Sequence, residues 1–110
     1  MMKLERGKVY LISYQNGGEG RPTYRAVLIT SLNHGKIYGT PVRKLSEWEA
    51  EREVCKSLGC EFYAKRPHPQ TYYPERVKHI KTEVKDYRKY MDGKVAKVVK
   101  MKLDAIETAR

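Results

Sequence analysis

Four clusters of side chains in this sequence have the types and spacing to do chemistry. The first is Gln15-Asn16-Gly17-Gly18-Glu19-Gly20-Arg21-Pro22, with Arg25 just beyond it. Glycines let backbone amides approach an anion, and the planar forks of Arg21 and Arg25 match phosphate oxygens. The spacing fits no Walker-type phosphate loop, and a hairpin loop with solvated arginines accounts for the same residues. The second cluster is Thr40-Pro41-Val42-Arg43-Lys44. A hydroxyl and two cations at a strand end could address a scissile phosphate, Arg43 stabilising charge on the phosphoryl oxygens and Thr40 orienting or donating. An ordinary strand end leading into a helix cap is the plainer account.

The third cluster interleaves aromatics and cations: Phe62-Tyr63-Ala64-Lys65-Arg66, then Gln70-Thr71-Tyr72-Tyr73. Bases of single-stranded nucleic acid stack on such rings while cations follow the phosphates. With nine tyrosines in the chain, some must be core. The fourth is Cys55, Cys60, His68 and His79. Four residues separate the cysteines and no compact histidine pair is present, so the set makes a poor zinc site; no metal and no cofactor is expected. The two cysteines can lie near each other around a helix end, as reduced thiols in a chain without an export signal.

Charge points the same way as the clusters. The chain has 110 residues and a formal net charge of +10. Residues 1–43 carry seven Lys/Arg against two acidic side chains, residues 44–62 three against five, and residues 63–110 thirteen against six. The excess favours polyanionic partners, although solubility alone can explain surface lysines. No run of about 18 apolar residues exists, so no membrane span is expected. The N-terminus has no apolar leader-like stretch, so a cytoplasmic location is expected.

These groups need elements to hold them. Lys8–Tyr14, Tyr24–Thr30 and Lys36–Val42 are rich in β-branched and aromatic residues and read as three strands. Asn33-His34-Gly35 is a tight-turn signal between the second and third. Ser46-Glu47-Trp48-Glu49 reads as a capping box opening a helix, with Trp48, Cys55 and Leu58 on one face and Gly59 as its stop. Cys60–Arg66 reads as a further strand. Val77, Ile80, Val84, Tyr87 and Met91 recur at helical spacing, with a strand over Arg76–Lys81 followed by a short helix as the competing assignment. Asp92-Gly93 breaks the pattern, and Val95, Val98, Val99, Leu103 and Ile106 stripe a lysine-rich C-terminal helix. The expected fold class is α+β: a single domain over residues 1–110, a small β-barrel carrying a mid-chain helix and a C-terminal helix.

The order of parts resembles the MazF/PemK toxin family, small endoribonucleases of toxin–antitoxin modules. Arg6-Gly7-Lys8-Val9-Tyr10 stands where the family has an Arg-Gly-Asp-like turn entering a strand. Gly17-Gly18-Glu19-Gly20-Arg21-Pro22 and Tyr24-Arg25-Ala26-Val27-Leu28-Ile29 resemble its Gly-Ser-Glu-Gln-type loop and the strand that follows. Glu75-Arg76-Val77-Lys78-His79-Ile80 is similar to its Glu-Gln-Ile-Arg-Thr-Ile-type segment. The resemblance implies an SH3-like barrel, a strand over Arg76–Lys81, and cleavage of single-stranded RNA without metal. It also implies a homodimer, an antitoxin that covers the RNA groove, and Arg25 as the catalytic arginine. The family places a catalytic Thr or Ser just after the third strand. Here Arg43 falls at that position and Thr40 lies three residues earlier.

The leading expectation is an endoribonuclease in which the RNA 2′-hydroxyl attacks the adjacent phosphorus. Arg25 would stabilise the phosphorane, Thr40 or Arg43 would assist, and Lys65, Arg66 and Lys78 would hold flanking phosphates. Arg21, Lys44 and Tyr72 complete the expected RNA contacts. The alternatives are a barrel that binds nucleic acid without cutting it and a small basic inhibitor or interaction protein directed at an acidic protein groove.

Overall fold

In the computed structural model of the chain, residues 3–16 and 20–109 are described. Gly17-Gly18-Glu19 of the expected anion loop therefore lie outside the described residues. The chain divides into two compact units, Met1–Val42 with His68–Tyr87, and Arg43–Pro67 with Arg88–Arg110. The architecture is α+β, with one five-stranded antiparallel sheet and two helices. No helix among the described residues is long and apolar enough to cross a membrane.

The first unit holds the sheet. Its strands are β1 (Val9–Tyr14), β2 (Thr23–Asn33), β3 (Lys36–Pro41), β4 (Gln70–Tyr72) and β5 (Val77–Glu83), in the order β4-β3-β2-β1-β5. β2 and β3 meet at His34-Gly35, both with positive φ (52° and 69°), as a two-residue turn that follows the twist of its strands requires. Side chains alternate across a strand, so register decides which residues share a face. Tyr10, Ile12 and Tyr14 of β1 stand opposite Val27, Arg25 and Thr23 of β2. That face carries the core cluster of Tyr10, Ile12, Tyr14, Val27, Ile29, Ile37 and Tyr72. Flat packing would put β4 and β1, three strands apart, about 14 Å from each other. Instead the rings of Tyr72 on β4 and Tyr14 on β1 meet edge to face at 5.0 Å, so the sheet curls strongly around its core.

At Gly39 two strands press close together. A Cβ there would stand 2.5 Å from Val27 Cγ1 and 2.8 Å from the Leu28 carbonyl oxygen. The first atom could rotate away, but the second is backbone in the neighbouring strand. Gly39→Ala is therefore expected to destabilise the fold by about 1–3 kcal/mol through overpacking, read as a lower urea midpoint.

The second unit holds α1 (Val42–Leu58) and α2 (Tyr87–Thr108) apart from their first residues, Val42 and Tyr87, which close stretches of the first. α1 begins four residues before the expected capping box, directly after Pro41 closes β3, so Ser46 is an interior helical residue and not a cap. Its buried stripe is Val42, Leu45, Ser46, Ala50 and Val54, whereas Leu58 is exposed. Trp48 packs instead on Phe62 at 5.8 Å and donates its indole N–H to the Ala64 carbonyl at 2.8 Å. That contact belongs to an extended segment without strand pairing, which replaces the strand expected over Cys60–Arg66. The helical reading gives way over Val77–Val84 and holds at Tyr87 and Met91, which open α2: Val77–Glu83 pairs with β1, with register shifts on either side of Ile12-Ser13 that mimic a 3,4 spacing. Asp92-Gly93 does not interrupt α2. Asp92 accepts from Arg88 one turn earlier, and the surroundings of Gly93 are open.

One ion pair stands out in this unit. Arg88 spans both oxygens of Glu49, at 2.9 and 2.5 Å, and the Glu49 side chain is only 16% exposed. Hydrogen bonding from Arg88 holds the Glu49 carboxyl below its usual range. A carboxyl lowered in the folded state contributes stability above its unfolded pKa and loses it as pH falls through the folded value. Glu49→Gln is expected to cost about 1 kcal/mol at neutral pH, since Arg88 is half exposed. The difference from the parent should vanish as both are titrated below pH about 4, followed by urea unfolding at each pH.

Candidate nucleic-acid interface

The end of the curled sheet nearest Tyr14 gathers the groups most suited to an anion. Arg25 lies on the core face of β2, two residues before Val27, where the apolar row runs out toward solvent. Its guanidinium stands over the Tyr14 ring at 5.6 Å, and its Nη2 donates to Thr23 Oγ1 at 2.7 Å. Ring and hydroxyl together fix the fork of a long side chain that would otherwise sample many rotamers. Among the described residues Arg25 is in no ion pair.

A second arginine joins this end from the other side of Tyr14. The Tyr14 hydroxyl accepts from the Tyr73 backbone N–H at 3.1 Å, and the Gln15 N–H donates to the Arg76 carbonyl at 3.0 Å. These bonds pin the 3-10 turn Pro74–Arg76 to the end of β1. Arg76 then lies over the Tyr73 ring at 5.2 Å, and Tyr73 is 37% exposed. Tyr72, 2% exposed, forms the floor. Burial pushes its phenol above the usual range while the nearby Arg25 charge pulls it part of the way back, so at neutral pH it keeps its proton. The result is two guanidiniums, each seated on a tyrosine, with the Thr23 hydroxyl beside one of them. Phosphate oxygens can be met by forks of this kind and a base by an exposed ring.

The expected site residues divide. Arg25 and Tyr72 come together, with Tyr72 as floor and not as an exposed stacking ring. Arg21 is exposed on the approach to β2, after Gly20, whose carbonyl accepts from Gln15 Nε2 at 3.1 Å. Lys78 is exposed on β5 and donates to the Glu75 carbonyl at 3.3 Å. Thr40 does not join Arg25. It stands opposite Leu28, so it leaves the sheet on the face away from Val27 and Arg25, and it is 3% exposed. Arg43 belongs to the second unit, where its Nε donates to Glu47 Oε1 at 3.2 Å one turn along α1. Lys44, Lys65 and Arg66 are exposed residues of that second unit as well.

Tyr14, Thr23 and Arg76 were not among the expected site residues, and Tyr73 stood only in the cluster of aromatics and cations. Thr23 and Arg25 share strand parity, a legible signal. The Tyr14 and Arg76 contributions depend on the curl of the sheet, which local patterning does not encode. On the other sheet face, Tyr24, Ser13 and His79 align across three strands. There Tyr24, 53% exposed, has His79 edge-on at 6.5 Å and Lys81 Nζ 5.6 Å from its ring centre. Among the described residues no group of three or more His, Cys, Asp or Glu side chains is placed to hold a metal ion. Comparison with protein-family models, with curated proteins and with solved structures finds no match to this chain.

Proposed function

We propose that this protein acts on single-stranded RNA as a MazF/PemK-like endoribonuclease, with Arg25 meeting the phosphate that is cut. The observation that carries the reading is the fixed placement of Arg25 over Tyr14, with Thr23 Oγ1 at 2.7 Å, at the open end of the core face. In the reaction the RNA 2′-oxygen gives up its proton and bonds to phosphorus. The 5′-oxygen leaves with a proton, and a 2′,3′-cyclic phosphate remains. Arg25 stabilises charge on the non-bridging oxygens of the phosphorane. Thr23, already accepting from Arg25, keeps its own proton to donate to the same phosphate, the part first expected of Thr40. Arg76 and Arg21 hold neighbouring phosphates, and the Tyr73 ring takes a base.

The curl that brings Tyr72 onto Tyr14 supports an SH3-like barrel as the finer description of the sheet. A homodimer and an acidic antitoxin segment over the Arg25 end complete the family-like reading. The test is incubation of the full chain with mixed RNA in EDTA and mapping of the ends. Cyclic phosphate termini support the proposal, and intact RNA overturns cleavage.

A second reading has an observation of its own. Thr40 is buried on the far face, so the hydroxyl nearest in sequence to the family's catalytic position is not beside Arg25. A protein that holds RNA at Arg25 and Arg76 without cutting it fits that placement. It predicts intact RNA together with binding whose logarithm falls steeply with log salt.

A further inference from the structure

We propose that Cys55 and Cys60 are a thiol-pair modification site, closing to an intramolecular disulfide on reaction with a low-molecular-weight disulfide such as oxidised glutathione. The end of α1 builds the pair. Gly59, with φ +72°, donates its N–H to the Lys56 carbonyl at 3.3 Å, and Cys60 donates its N–H to the Cys55 carbonyl at 3.0 Å. Together these bonds form a Schellman cap, whose 6→1 bond folds the residue after the glycine back onto the last turn. Such caps usually bring the two side chains at those positions into apolar contact; here both positions are cysteine. The Cys60 thiol reaches the Cys55 carbonyl at 3.4 Å, and the two thiols also interact with each other. Both are free thiols, Cys60 exposed and Cys55 half-buried. Four residues of sequence separation alone would leave the pair at variable distance; the cap fixes it.

The order of attack follows from exposure. Cys60 gives up its proton and its sulfur bonds to one sulfur of the glutathione disulfide, releasing one glutathione thiolate, which takes a proton. Cys55 then loses its proton and attacks the Cys60 sulfur of the mixed disulfide, expelling the second glutathione. Two protein thiols are oxidised and one disulfide is reduced to two thiols, with no other reactant. Hydrogen bonding of the Cys55 thiol to Cys60, together with burial, raises that thiol above its usual range, so the closing step should quicken with rising pH.

The site is independent of the RNA reading. The test incubates the full chain with graded ratios of oxidised to reduced glutathione, traps thiols with iodoacetamide and weighs the product. The expected product is a monomer lacking two hydrogens and taking up no label, with Cys55→Ser and Cys60→Ser each halting at a mixed disulfide. Gly59→Ala strains the left-handed position and should lower the equilibrium constant for ring closure about tenfold, while glutathione still adds to Cys60. Wild-type chains that accumulate only mixed disulfides or intermolecular dimers would overturn the proposal. So would a Gly59→Ala chain that closes as readily as the parent.

Discussion

Arg25→Ala is expected to lower RNA cleavage in EDTA by about 10²–10³-fold, the effect of removing one group that stabilises transition-state charge. Circular dichroism and the urea midpoint should stay near those of the parent, because the guanidinium bonds to the exposed Thr23 hydroxyl, lies on the Tyr14 ring and leaves the Tyr72 ring, which carries the packing, in place. Arg25→Lys should restore little, since an ammonium cannot reproduce the fork or lie flat on Tyr14. Thr40→Val and Arg43→Ala should cleave at close to the parent rate, one residue being on the far sheet face and the other paired with Glu47. Cleavage by Arg25→Ala at the parent rate would remove this assignment. If RNA is bound and not cut, the same variant should shift the slope of log affinity against log salt by about one phosphate.

Tyr72→Ala should be the most damaging single change to stability, at about 3–5 kcal/mol by urea unfolding. β4 has only three residues, Gln70–Tyr72, and joins the sheet through β3 alone. The Tyr72 ring is what carries this short strand into the core, against Tyr14 at 5.0 Å. Tyr72→Phe keeps the ring and loses a hydroxyl that lies beside the Arg25 charge and donates to Gln70 Oε1 at a long 3.4 Å. Its stability loss should stay within about 1 kcal/mol. A Tyr72→Ala chain that unfolds at the parent's midpoint would show that β4 is held by something other than this ring.

Local chemistry made the three N-terminal strands legible. Their β-branched and aromatic runs, the His34-Gly35 turn and the Gly59 stop all act over a few residues, and each is found where its signal lies. The failures share a different origin. Val77, Ile80 and Val84 imitate a helix because β5 pairs with β1 through register shifts, and a shifted strand loses its period of two. The Ser46–Glu49 box is sound capping chemistry made redundant by a helix already begun at Val42. Arg25 was legible as a candidate anion ligand by its loop and strand setting. Its companions were not, because Tyr14 and Arg76 are brought to it by non-local contacts.

The sheet is assembled from two stretches of chain with residues 43–67 set aside in the other unit, and this has a bearing on biosynthesis. A nascent polypeptide extruded through Leu58 already holds β1, β2 and β3, whose pairings are hairpin-like and quick to form. It still lacks Tyr72, Val77 and Ile80, so the apolar floor beneath Tyr14 stays wet until translation has passed β5. Closing so wide a loop is entropically slow, which makes the late joining of β4 and β5 the natural kinetic bottleneck. Over that interval a half-built sheet with bare hydrogen-bonding edges is the species that a holdase, or a neighbouring copy on the same polysome, would encounter.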